Sequence, residues 1–103
     1  MLGGFQKDIY EDLLVDFKRS IGDYSGDNSI QDDYYIGMLK RAVNELLLED
    51  ISLERLTKTE AGKSLVVLYA ETLMNKTDIA TDQTINLLKI KLSLATKGDR
   101  YVQ

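Results

Sequence analysis

Gly62-Lys63-Ser64 imitates the end of a phosphate-binding loop, in which backbone amides and a lysine would cradle a phosphate. That motif needs a glycine where Thr57 stands, and a strand leading into a glycine-rich loop, which is missing here. These three residues therefore read as the first turn of a buried helix. Asp23, Asp27, Asp32 and Asp33 suggest calcium, but a loop begun at Asp23 puts Asn28 in place of the sharp-turn glycine and Tyr34 in place of the bidentate glutamate. A solvated acidic loop accounts for them. The neighbours Glu49 and Asp50 offer acid–base chemistry only if a cleft residue raises one pKa, and no such residue is evident. Histidine and cysteine are both absent, which removes Ser-His-Asp and Cys-His arrangements, thiolate metal sites and any imidazole shuttle. The chain reads as non-enzymatic, with no catalytic, cofactor or metal residue to nominate.

Composition bounds what remains. A chain of 103 residues with 44% apolar and 29% charged side chains fits one soluble domain. The longest apolar run, Leu65 to Ala70, is far below the ~20 residues a membrane span needs. The opening MLGGFQKDIYED has no basic region followed by an apolar one, so a cytosol, or a particle assembled in one, is the expected setting. A net charge of −4 argues against a primary nucleic-acid binder, because phosphate affinity comes mainly from Lys and Arg.

The elements follow from spacing. Proline is absent and apolar residues recur at three and four, which predicts an all-α domain of four helices. The first covers about 6–21, with Ile9, Leu13, Phe17 and Ile21 on one face, and ends in GDYSGDNS. The second covers about 32–49, opened by a capping-box variant over 29–32, with Tyr35, Leu39, Ala42, Val43 and Leu46 inward. A polar connection over 50–58 leads to a capping box at Thr57-Lys58-Thr59-Glu60 and to the least polar stretch, KSLVVLYAETLMN. Its face of Ala61, Leu65, Leu68, Tyr69 and Leu73 leaves apolar residues on both flanks, so this third helix is expected at the centre of the domain, with the others around it. Asn75 suits its C-cap. The fourth segment, 84–95, carries a helical stripe of Ile85, Leu88, Leu92 and Ala95. Residues 90–94 also alternate as a strand would, but a lone strand has no partner, so helix is the reading. Gly98 stops it, and 96–103 forms a tail outside the 1–95 domain, flexible until bound.

Two sets of side chains stand out as surface candidates. Tyr24 and Tyr34 lie near loops and suit an interface, having one apolar and one wet end. Leu47, Leu48, Ile51 and Leu56 extend the apolar surface past one face and suit a second neighbour.

Taken together, DDYYIGMLKRAVNELLLED, GKSLVVLYAETLMNKTD and QTINLLKIKLSL resemble the small head-tail connector proteins of tailed bacteriophages, also called head-completion or adaptor proteins. Tyr35, Ile36, Leu39 and Ala42 match the stripe of that family's second helix. Leu65, Leu68, Leu73 and Asn75 match its third helix loosely, and Leu87-Leu88 its paired leucine. The likeness spans about 9–94. It implies a virion protein at the head–tail interface, present in the host cytoplasm before assembly. Such a subunit docks as a ring under the portal protein, extends the DNA channel without binding DNA specifically, and receives a stopper or tail-completion protein. It implies portal binding through the C-terminal tail, here Gly98, Asp99, Arg100, Tyr101, Val102 and Gln103. Acids in the second connection, Asp50 and Glu54, are then expected to face the lumen, where negative walls repel passing phosphate. The competing expectation is a small cytosolic helical adaptor that binds a protein partner through the same surface.

Overall fold

The computed structural model describes the backbone of residues 2–26, 28–74 and 79–102, and side chains over 9–26, 28–74 and 81–100. Five α-helices follow one another: α1 (Leu2–Ser20), α2 (Ser29–Leu47), α3 (Leu53–Lys58), α4 (Glu60–Leu73) and α5 (Ile79–Val102). The described residues include no strand. The radius of gyration is 13.8 Å and the thinnest dimension 19 Å, two helix diameters. α4 packs against each of the other four helices; α1 packs chiefly on α2 and α4, and α5 on α3 and α4.

The helix ends differ from the sequence expectation, and each for a local reason. α1 closes in a Schellman turn, where Asp23 N–H donates to the Lys18 carbonyl and Gly22, at φ +76°, supplies the left-handed residue. α2 begins before the expected 32, because Asn28 is its N-cap and accepts from the Gln31 amide at 3.2 Å. The cap of α4 is Thr59 instead of Thr57: its hydroxyl accepts from Gly62 N–H at 3.0 Å. Thr57 is buried within α3 and donates to the Leu53 carbonyl. The expected cap Asn75, like residues 76–78, lies outside the described residues.

Four helices become five because the connection over 50–58 is not merely polar. Ser52 caps its own short helix, accepting from the Arg55 amide at 3.2 Å, and that turn carries Leu56 into the core. The tail is also corrected. α5 runs unbroken through Gly98 to Val102, so 96–102 continues a helix that the glycine does not stop. An interior glycine weakens a helix by only about 1 kcal/mol and does not by itself end it.

The core is continuous. Leu13 and Phe17 of α1, the five inward residues of α2, Ile51, Leu56, Leu65, Val66, Val67 and Ala70 join Ile85 and Leu92 of α5. Phe17 meets Tyr35 edge-on, with centroids 5.2 Å apart. The Tyr35 hydroxyl donates to Asp23 at 3.0 Å and accepts from Gln31, so its buried polar tip is satisfied. Within α4 the buried set is Gly62, Leu65, Val66, Val67 and Ala70, whereas Ala61, expected on the inner face, is exposed.

Candidate interaction surface

Gly62 explains why the phosphate-loop likeness is empty. A Cβ there would fall on the Arg55 carbonyl oxygen and within 2.7 Å of the Leu56 Cα, so glycine is what lets α3 and α4 close on each other. Its amide is already used by Thr59. The acids of the first loop are similarly committed. Asp23 accepts from Ser25 and Tyr35, bonds that hold its carboxyl below the usual range, and Asp32 pairs with Lys18 at 2.9 Å. Asp27 lies outside the described residues. Among the described residues, no three His, Cys, Asp or Glu are grouped to hold a metal. In the same set, no helix is long and apolar enough to cross a membrane.

The expected interface residues separate into two groups. Leu48 is 85% exposed and Leu47 is marginally so, but Ile51 is 2% and Leu56 0% exposed. These last two are corrected to core: α3 folds the connection back onto α4 and takes both inside. Tyr24 and Tyr34 are exposed, together with Val15 and Ile30, at the end of the molecule where α1 turns into α2. Val15, Arg19, Asp23 and Tyr24 line a groove of about 280 Å³ there.

α5 carries a surface the sequence reading missed. Ile85, Leu92 and Thr96 are buried, yet Leu87, Ile90 and Leu94 are 62%, 59% and 62% exposed. At about 100° per residue the two sets lie on nearly opposite sides of the helix. The signal was present as an i, i+3, i+7 spacing, but it overlaps the inner stripe and looks like strand alternation over 90–94. Beside this outer face, Ile90, Ser93, Leu94 and Lys97 form a groove of about 320 Å³ with Glu49 and Lys89. Lys89 lies 3.8 Å from Glu49 and 5.0 Å from the centroid of the Tyr69 ring, so α5 is pinned to the turn after α2 and to α4 at the same point. The Tyr69 hydroxyl donates to Glu45 at 3.0 Å, and Arg41 also donates to Glu45; together they hold the Glu45 carboxyl low, the Arg41 bond most.

The last turns of α5 are tied down by three polar contacts. Ser52 N–H donates to the Thr96 hydroxyl at 3.1 Å, Arg55 donates twice to Asp99, and Arg100 donates to Asp50 at 2.8 Å. Asp50 sits at φ +62°, a left-handed position in the turn after α2 that aspartate tolerates better than most residues. Of the two acids expected to line a channel, Asp50 is exposed and paired with Arg100, and Glu54 is exposed in the first turn of α3. Gly98 is exposed on the helix, the side chains of Tyr101 and Val102 lie outside the described ones, and so does Gln103 entirely.

No family model matches the chain, and neither a curated protein nor a solved structure matches it.

Proposed function

We propose that this chain is a structural head-tail connector subunit of a tailed phage, forming a ring beneath the portal, carrying the DNA channel onward and receiving a stopper or tail-completion protein. The observation that carries the reading is the two-sided α5, whose inner stripe completes the core while Leu87, Ile90 and Leu94 remain outside. A small domain with its other helices gathered around α4 has no internal use for that second stripe, and exposed contiguous apolar surface of this kind is normally covered by another protein. The resemblance of residues 9–94 to the connector family supplies the kind of neighbour: sister subunits and a docking platform.

Portal contact is assigned to the C-terminal end, residues 98–103, of which 98–102 are the last turns of a braced helix. Arg55 and Asp50 act as the brace by holding Asp99 and Arg100. In this arrangement Glu54 is the acid that faces the channel.

The test is light scattering and electron microscopy of the purified chain, alone and mixed with a portal ring. Ring-shaped density on the portal is the expected result, lost when residues from Gly98 onward are deleted. Full portal binding by the deleted chain removes the C-terminal assignment, and a stable one-to-one complex with a non-virion protein favours the adaptor reading.

A further inference from the structure

We infer that the outer face of α5 is one half of a contact between copies of this chain, and that its other half is the acid-rich α1–α2 end of the next copy. This rests on the self-association in the proposed function and adds which surfaces meet. Charge divides unevenly along the sequence: the first 33 residues hold eight acids and three bases, whereas α5 holds four bases and two acids. Between Gln83 and Gly98 there is no acid at all. Within α5 the stripe Leu87, Ile90, Leu94 is therefore flanked by bases only, of which Lys91 and Lys97 are exposed; the acid beside it, Glu49 after α2, faces Lys89 at 3.8 Å.

The opposite end has the complementary character. Val15, Tyr24, Ile30 and Tyr34 are exposed apolar or aromatic residues, with Glu11, Asp12 and Asp33 exposed among them. Of the bases there, Lys18 is committed to Asp32 and to the Gly26 carbonyl, which leaves Arg19 as an exposed base against the exposed acids Glu11, Asp12 and Asp33.

The two surfaces cannot close on each other within one chain. Ser20 of α1 donates to Glu71 of α4, while Lys89 of α5 lies over Tyr69 of α4. Residues two apart on a helix point about 200° from each other, so α1 and α5 occupy different sides of α4. A contact between unlike faces leaves one of each free at the ends of any pair, and so propagates, into a ring where the rotation closes and into a filament where it does not. Pairing α5 with α5 would instead set Lys91 and Lys97 against their own kind, which costs affinity.

The chain has no cysteine, so single thiols report the geometry without background. Ile90→Cys and Tyr34→Cys chains are mixed and treated with a short bismaleimide. The expected product joins position 90 to position 34, in excess of 90-to-90 and 34-to-34. Lys91→Glu with Lys97→Glu should weaken self-association by at least about tenfold at low salt, with unchanged circular dichroism, because both lysines are exposed. Asp12→Lys with Asp33→Lys, mixed with that variant, should restore it. Predominant 90-to-90 product, or anionic-vesicle binding by a chain that gives no 90-to-34 product, overturns the inference. Absence of the 90-to-34 product from portal-bound rings overturns the contact but leaves the connector reading standing. A chain that cross-links as expected and ignores portals does the reverse.

Discussion

Arg55 and Asp99, 44 residues apart, are joined by two parallel hydrogen bonds of 2.7 and 2.6 Å, one from Nε and one from Nη2. This fork makes α3 a clasp for the end of α5, beyond Gly98. Hydrogen bonding from Arg55 is the largest cause holding the Asp99 carboxyl below its ordinary range, and the same bond raises Arg55.

The sign of the pH effect follows. A carboxyl whose pKa is depressed on folding stabilises fully above its unfolded value of about 4, and that contribution is lost as pH falls through the lower folded value. Amide exchange of 97–101, corrected for intrinsic rate, should keep its protection from neutral pH down to about 4 and lose it below. Asp99→Asn should show the weakened protection at every pH.

Gly62→Ala should destabilise by about 1–3 kcal/mol in urea, although alanine is the better helix former by about 1 kcal/mol. The added methyl has to push the Arg55 carbonyl away. A more stable Gly62→Ala protein would refute the close approach of α3 and α4.

Leu48 and Leu56 look alike in sequence and should behave oppositely. Leu56→Ala should cost about 2–5 kcal/mol, whereas Leu48→Ala should stay within about 0.5 kcal/mol. Equilibrium denaturation of the two variants decides it. Comparable losses would contradict the burial assigned to each.

Thr59→Ala should cost about 1 kcal/mol by removing the acceptor for Gly62 N–H. Thr57→Val should cost less, since its hydroxyl donates to a carbonyl that the helix itself serves. Thermal unfolding that ranks them the other way would restore Thr57 as the cap.

The helices and the inner stripe of α2 were legible because they depend on neighbours a turn away, whereas the face expected for α4 was misplaced: of it only Leu65 is buried, and Val66, Val67 and Ala70, expected on the flanks, are. Tyr35, Leu39, Ala42, Val43 and Leu46 repeat at helical spacing and all five are buried. The short α3 was not legible, since six residues give too little periodicity to see and its apolar pair Leu53 and Leu56 divides, one exposed and one buried. The outer stripe of α5 was hidden for a different reason. Two apolar stripes on one helix blur each other's period.

By itself, the amino-acid sequence determined that this protein is all-helical, that most of its inward residues come from α2 and α4, and that histidine- and cysteine-based chemistry is closed to it. Those are properties of residue type and of spacing within one or two turns. Only the tertiary structure decided that Ile51 and Leu56 lie inside, that Gly62 is a contact point, that α5 ends clasped instead of free, and that Leu87, Ile90 and Leu94 are left outside. Each of those depends on a backbone or side chain distant in the chain, and the local pattern carries no record of which distant segment arrives.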